Sequence, residues 1–146
     1  MREIKFRAWS KYKNLIGEVT GFRFSKSQYP FVNVRFKENG KIVDEGYHFG
    51  QEDGCDNVIL MQFTGCHDKN GVEIYEGDIL RDTDSEIYYV DFIRGCFYLK
   101  TKYISFPHLG WTEWLPMCEI DRLANPVDFE VIGNIYENPG LLKENG

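Results

Sequence analysis

The stretch from Leu60 to Leu80 constrains the fold more than any other part of the chain. Apolar and polar residues alternate up to Asp68-Lys69-Asn70-Gly71 and alternate again after it. A period of two is typical of a half-buried strand, and a turn that contains Asn-Gly is typical of a β-hairpin, because both residue types tolerate a positive φ. The sequence therefore predicts a hairpin here, with its register set by the turn.

The same alternation recurs in short segments along the rest of the chain. Strands are predicted over residues 2–9, 16–24, 31–36, 42–49, 79–81, 86–93, 96–102 and 129–136. Asn39-Gly40 predicts a second hairpin over residues 31–49, and Gly133 predicts a bulge or a close backbone approach in the last strand. Residues 119–125 have the spacing of a short helix that ends before Pro126, and residues 138–146 are predicted to be a fraying tail.

These patterns predict a mainly antiparallel β fold. An N-terminal β segment over residues 1–57 is expected to share one core with a small-barrel-like meander over residues 58–146, in a single domain. A chain of 146 residues with 42% hydrophobic content can bury enough apolar surface to fold without disulfides. Closure of the barrel is a hypothesis, because an open meander would leave strand edges that a second chain could pair with.

Composition disfavours several classes of function. The net charge of -6 opposes binding to duplex DNA, which depends on clustered Lys and Arg. No run of about eighteen apolar residues is present, so no membrane-spanning helix is expected, and the absence of an apolar leader predicts a cytoplasmic protein with reduced thiols. No metal site or cofactor is predicted, because no two cysteines form a C-x-x-C pair and the histidines are equally scattered: Cys55, Cys66, Cys96 and Cys118, with His48, His67 and His108.

Acidic residues near the central hairpin suggest two kinds of site that the spacing does not favour. A hydrolase with paired carboxylates could use Glu76 and Asp78 with His67 or His108, but Gly77 between the two acids can turn their side chains apart. Asp82, Asp84 and Glu86 resemble the start of a calcium loop. However, the positions where that loop needs glycine and a bidentate glutamate hold Ile87 and Ile93. A solvated surface and a polar hairpin turn are the preferred interpretations.

A set of turn-forming residues and a group of aromatic residues are the remaining candidates. The turn-forming residues are expected to bend the backbone and to hold it by side-chain hydrogen bonds: Gly65, Asp68, Asn70, Gly71, Gly77 and Asp78. The aromatic residues lie in a predicted loop and could pack in the core, cover a neighbouring subunit or stack on bases: Phe106, Trp111 and Trp114. An interface between proteins is the functional role expected of the aromatic group.

Three blocks of sequence resemble the YopX-like family of phage and prophage proteins. They read R-E-I-K-F-R-A-W at residues 2–9, M-Q-F-T-G through D-K-N-G-V-E-I-Y-E-G-D-I-L at residues 61–80, and F-E-V-I-G-N-I-Y-E-N-P at residues 129–139. The resemblance implies a small, largely β protein that is encoded by a temperate phage and is oligomeric, with no established activity. Ser10, the Cys66-His67 pair and Gly140 depart from the family pattern. The resemblance brings no catalytic residues with it.

The leading expectation is therefore a non-enzymatic phage accessory protein that acts through protein contacts as a homo-oligomer, with a host protein as a further partner. The alternative is a single-stranded nucleic-acid-binding protein that uses Arg7, Lys11, Trp111 and Trp114, although the overall acidity disfavours nucleic acid. The carboxylate-dependent hydrolase is the third candidate.

Overall fold

A computed structural model describes residues 3–26, 29–50, 57–101, 114–116 and 128–143 of the protein. Backbone contacts divide the chain into two compact units, Glu3–Gln62 and Phe63–Gly146, which we call the N-terminal and C-terminal units. The predicted division at residue 57 stays a prediction. Within the described residues, no helix is long and apolar enough to cross a membrane.

The regular structure is almost entirely strand. The N-terminal unit contains β1 (Phe6–Ser10), β2 (Leu15–Arg23), β3 (Phe31–Glu38), β4 (Lys41–His48) and the first half of β5 (Val58–His67). The C-terminal unit contains the rest of β5, then β6 (Glu73–Tyr75), β7 (Asp78–Arg81), β8 (Ile87–Ile93), β9 (Cys96–Thr101), β10 (Trp114–Pro116), β11 (Glu130–Asn134) and a 3-10 helix (Pro139–Leu142).

The N-terminal unit is one antiparallel sheet in the order β4-β3-β2-β1-β5. Asn39 and Gly40 both have a positive φ and join β3 to β4 in a two-residue turn, as the Asn-Gly pair predicts. One face of this sheet carries the core cluster: Ala8, Val32, Val34, Phe36 and Val58. Along β3, the buried members of this cluster alternate with polar residues. The strand pattern read from the sequence therefore corresponds to a sheet with one apolar face.

The C-terminal unit is a second antiparallel sheet in the order β10-β9-β8-β7-β11. Strands β7, β8 and β9 form the predicted meander, and Arg94 and Gly95 make the turn between the last two. The last half of β5 pairs with β6, so the hairpin around Asp68-Lys69-Asn70-Gly71 is confirmed. A separate core cluster fills this unit: Ile74, Leu80, Val90, Phe97, Leu99 and Phe129.

The mainly antiparallel β fold is confirmed, with several corrections of detail. The two sheets are not closed into a barrel among the described residues, because β10 and β11 are the unjoined edges of the second sheet. The turn does not by itself set the β5–β6 register, since pairing shifts between Phe63 and His67, where Gly65 has φ +91. Residues 114–116 form an edge strand instead of a loop, and residues 139–142 form a 3-10 helix instead of a fraying tail. The predicted helix over residues 119–125 lies outside the described residues.

Gly17 on β2 lies close against the neighbouring strand β3. A Cβ placed there would lie 2.5 Å from Val34 Cγ1 and 2.8 Å from the Arg35 carbonyl oxygen. Gly21, further along the same strand, would place its Cβ 3.6 Å from Asn33 Nδ2, which is ordinary contact. The absence of a side chain at Gly17 is therefore required for β2 to lie against β3.

We expect Gly17→Ala to lower the free energy of unfolding by about 1–3 kcal/mol, because the backbone of β3 cannot yield to the added methyl group. Gly21→Ala is the matched control, with an expected change within about 0.5 kcal/mol. Urea unfolding followed by circular dichroism measures both. Equal effects of the two substitutions would contradict this account of β2.

Candidate functional site

The Asp68 carboxylate organises the turn between β5 and β6. Its Oδ1 accepts hydrogen bonds from the backbone N–H groups of Asn70 at 2.8 Å and Val72 at 2.9 Å. The backbone closes around it, because Asp68 N–H donates to the Val72 carbonyl at 2.8 Å and Gly71 N–H donates to the Asp68 carbonyl at 3.0 Å. Gly71 has φ +78, the left-handed conformation that this turn needs.

The same carboxylate also ties the turn to the last strand. Asp68 Oδ2 accepts the N–H of Val131 on β11 at 2.9 Å, and Lys69 N–H donates to the Phe129 carbonyl at 2.9 Å. Burial acts to raise the pKa of Asp68, but hydrogen bonds from Val131, Val72 and Asn70 outweigh it and hold the pKa below its ordinary value. Asp68 is therefore an ionised, buried residue whose hydrogen bonds join segments more than sixty residues apart in sequence.

Asp82 builds the same turn between β7 and β8. Its Oδ1 accepts the N–H groups of Asp84 and Glu86, both at 2.9 Å, and its own N–H donates to the Glu86 carbonyl at 3.1 Å. Ser85 occupies the place of Gly71 and has φ +67, a conformation that is unfavourable for serine. The acids that resemble a calcium loop thus belong to a hydrogen-bonded hairpin turn, with Asp82 Oδ2 accepting the Tyr88 hydroxyl at 2.9 Å.

Of the two acids proposed for a hydrolase, Glu76 lies in the turn between β6 and β7, and Asp78 is the first residue of β7. Asp78 is buried and its Oδ2 accepts the Tyr75 N–H at 2.8 Å, which closes the turn between β6 and β7. Gly77 in that turn has φ +82, donates to the Val90 carbonyl and accepts the Ile135 N–H, both at 2.8 Å. The His67 ring lies edge-on against Phe63, while His108 is outside the described residues. The hydrogen bond from Tyr75 therefore gives Asp78 a structural role in this turn.

A third polar turn, which the sequence interpretation missed, lies after β11. Asn134 Oδ1 accepts the N–H groups of Tyr136 at 3.0 Å and Glu137 at 2.9 Å, and Asn138 N–H donates to the Asn134 carbonyl at 2.9 Å. Gly133 leaves room for this turn, because a Cβ there would lie 2.6 Å from Asn138 Oδ1. The I-G-N-I-Y-E-N run was the available signal, since Asn before an irregular segment commonly bonds the backbone two residues on.

A polar network in the N-terminal unit was also missed, because its members are scattered in sequence. Lys13 Nζ lies 2.9 Å from Glu45 Oε1 and 3.0 Å from Glu38 Oε2, and the Tyr47 hydroxyl donates to Glu45 Oε2 at 2.5 Å. Ser10 Oγ lies 3.3 Å from that hydroxyl. Glu45 and Glu38 raise the pKa of Lys13, while Tyr47 and then Lys13 lower the pKa of Glu45. These mutual bonds join the β1–β2 turn to β3 and β4.

The side chains of the aromatic residues predicted to form an interface are not described by the structure. Phe106 and Trp111 lie outside the described residues, and Trp114 begins β10, where only the backbone is described. Exposed rings occur instead at the end of β2. Phe24 is 74% exposed and Phe22 is 36% exposed, and Phe22 also contacts Phe6 and Phe49.

Of the residues proposed for nucleic-acid binding, the structure describes Arg7 and Lys11 in full, whereas Trp111 lies outside the described residues and Trp114 is described by its backbone alone. Arg7 is half-buried on β1 with its Nη2 3.9 Å from Met61 Sδ, and Lys11 is exposed in the next turn. Neither Cys66 nor Cys96 forms a disulfide, and the described residues contain no group of three His, Cys, Asp or Glu that could hold a metal. Cys55 and Cys118 lie outside those residues.

Comparison with known proteins places this architecture in a family. The family model for YopX protein matches residues 5–143. The chain belongs to the YopX protein family. The resemblance read from the three sequence blocks is thus confirmed. A search of the curated proteins found no match. Among solved structures, this YopX family member is similar to protein EF1440 from Enterococcus faecalis, with 27% identity and a TM-score of 0.59, over 97% of this chain and 99% of that chain.

We expect Asp68→Asn to lower the free energy of unfolding by about 2–4 kcal/mol at pH 7, because a neutral amide cannot replace the buried carboxylate that three N–H groups bind. Because the folded-state pKa lies below that of the unfolded chain, this stabilisation is present above about pH 4 and is lost as the pH falls further. Urea unfolding between neutral and acidic pH should therefore show the difference between wild type and variant shrinking in acid. Asp82→Asn, at a half-buried position in an exposed turn, is the control and should cost less.

The paired turns allow a direct test of backbone strain. We expect Ser85→Gly to raise the free energy of unfolding by about 0.5–1 kcal/mol, because glycine adopts the left-handed conformation without steric cost. Gly71→Ala should lower the free energy of unfolding by about 1 kcal/mol or more, because alanine is strained at a φ of +78. Nothing lies within 4 Å of the added Cβ, so a steric clash does not contribute to this loss. Thermal unfolding of the two variants checks this, and a stabilising Gly71→Ala would contradict the turn geometry.

Proposed function

We propose that this YopX family member is a non-enzymatic accessory protein of a temperate phage, and that it works through protein contacts as a homo-oligomer. The observation that supports the proposal is β4, an edge strand of eight residues whose pairing with β3 is unbroken from Lys41 to His48. A long, regular edge strand presents unpaired backbone donors and acceptors to another chain. The partner that we propose for this edge is β4 of a second copy.

The outward-facing backbone groups of β4 follow from its pairing. Phe49 N–H donates to the Pro30 carbonyl at 3.0 Å, immediately beyond the last β3–β4 pair. Because inter-strand bonds alternate along an antiparallel ladder, the odd-numbered residues of β4 bond to β3. The N–H and C=O groups of the even-numbered residues therefore point away from the sheet: Ile42, Asp44, Gly46 and His48.

The two acidic residues in the middle of β4 are already paired with cations. Asp44 is held by Arg35, with 2.8 Å between Oδ1 and Nε, and Glu45 is held by Lys13. These ion pairs neutralise the two carboxylates in the middle of β4, so that two copies could approach without repulsion between like charges. The Ile42 side chain, which is 71% exposed, adds apolar surface beside the edge.

The edges of the second sheet are shorter and less regular. β10 has three residues and ends in Pro116, which has no N–H to donate, and β11 has a bulge between Val131 and Gly133. Short length, proline and bulges are the features by which sheets avoid pairing with other chains. Within the described residues, β4 is therefore the edge best suited to join two copies in an isologous contact.

Light scattering and sedimentation at several protein concentrations test the proposal. We expect wild-type protein to exceed the monomer mass of 17.1 kDa, and Ile42→Pro to return it toward that mass. Proline at position 42 removes an outward-facing N–H and leaves the odd-numbered bonds to β3 in place.

Ile42→Ser is the matched control, because it removes the same side chain but keeps the N–H. It should associate more strongly than Ile42→Pro, and circular dichroism should show that both variants keep the strand content of wild type. A wild-type mass that stays monomeric at every concentration would refute association through β4.

A further inference from the structure

The end of β2 carries exposed aromatic and basic side chains that the proposed strand pairing does not use. Phe22 and Phe24 are stacked, with ring centroids 6.1 Å apart and an angle of 15° between the rings. Phe24 is 74% exposed, although it is a large apolar side chain. Contacts of Phe22 with Phe6 and Phe49 hold the inner ring of this pair, at centroid distances of 5.2 and 5.9 Å. The outer ring is therefore an exposed aromatic platform on a fixed base.

Two cations adjoin the platform in the sequence Phe22-Arg23-Phe24-Ser25-Lys26. Both Arg23 and Lys26 are exposed, and neither forms an ion pair with any described residue. The guanidinium of Arg23 lies 5.2 Å from the ring centroid of Phe31, so this cation is positioned by an aromatic neighbour and keeps its charge available.

The charge around this surface differs from that of the whole chain. Residues 1–50 contain ten Lys or Arg against five Asp or Glu, residues 51–62 add three acids, and residues 63–146 contain seven Lys or Arg against fifteen Asp or Glu. Four of those first five acids form ion pairs within the unit: Glu3 with Lys5, Glu38 and Glu45 with Lys13, and Asp44 with Arg35. The net charge of -6 therefore arises in the C-terminal unit and does not describe the surface at the end of β2.

We propose that the end of β2 is a binding site for single-stranded nucleic acid. A base stacks on the exposed face of Phe24, and Arg23 and Lys26 bind the adjoining phosphates. Stacking platforms flanked by unpaired cations are how proteins bind single strands without reading sequence. An uncharged apolar partner would leave the two cations unused, whereas a duplex would hide its base faces from Phe24.

Fluorescence anisotropy with a labelled oligo(dT) of about 15 nucleotides tests the site in the full-length protein, since single-strand sites of this kind span about 4–16 nucleotides. We expect binding that weakens steeply between about 50 and 200 mM salt. Phe24→Ala should weaken binding at least about fivefold, because it removes one stacked base. Phe24→Tyr should retain binding and Phe24→Leu should lose it, which separates ring stacking from apolar contact.

The double substitution Arg23→Gln with Lys26→Gln should reduce the magnitude of the slope of log affinity against log salt by about 1.4, because each phosphate contact on a single strand contributes about 0.7 to that slope.

The matched controls are Phe92→Ala and Arg94→Gln. Phe92 is 40% exposed and Arg94 is an exposed cation two residues further on, so the two controls remove a ring and a cation from the unit in which acids outnumber Lys and Arg. Both control variants should bind the oligonucleotide as wild type does.

Three outcomes would overturn the site. The first is no binding of the oligonucleotide by wild type at low salt. The second is an equal loss of binding in Phe24→Ala and Phe92→Ala. The third is a Phe24→Ala variant that keeps oligonucleotide binding but has a lower mass in sedimentation, which would identify the ring as a protein contact. Ile42→Pro separates this inference from the proposed function, because it disrupts the β4 edge and leaves the end of β2 unchanged.

Discussion

The C-terminal unit depends on one buried carboxylate. Asp68 binds three backbone N–H groups, two in its own turn and one on β11, so it joins the central hairpin to the last strand. A buried charge is costly unless it is fully hydrogen-bonded, and here those bonds hold the Asp68 pKa below its ordinary value. Gly77 adds a second junction, because its N–H and C=O bridge β8 and the residue after β11. Both positions lie in blocks that identify the family, and both hold the backbone together.

The N-terminal unit is stabilised differently. Its strands are joined by regular ladders, and the network around Lys13 connects the β1–β2 turn to β3 and β4. The same network neutralises Glu45 on the edge strand, while Arg35 neutralises Asp44. Edge strands commonly carry charges that repel a second chain, but these two carboxylates on β4 are paired with cations of the same sheet. In the proposed dimer, the ion pairs that stabilise the unit would also remove charge repulsion at the β4 edge.

The two proposals place function in the N-terminal unit, away from the residues that identify the family. Polar groups of the central and final blocks that could have suggested chemistry are engaged in turns, as Asp68, Asp78 and Asn134 show. In the part of the chain that the structure describes, the two proposals rest on the backbone donors along β4 and on an exposed aromatic ring close in sequence to two cations at the end of β2. Both suit binding, one to a strand of a second copy and the other to a single-stranded polymer of phosphates and bases.

The sequence by itself determined most of the strands and of the tight turns, because alternation and Asn-Gly or Asp-containing turns are local preferences that tertiary contacts did not override there. Gly133 predicted the bulge in β11, and Asp68, Asn70 and Gly71 predicted the turn that the structure contains. Only the tertiary structure decided that the sheets stay open, that Asp68 reaches Val131, and that Lys13 meets Glu38 and Glu45. It alone also decided that Phe24 is exposed while Phe36 is buried. Such contacts join residues distant in sequence, and the burial of a side chain depends on what packs over it, which no local pattern records.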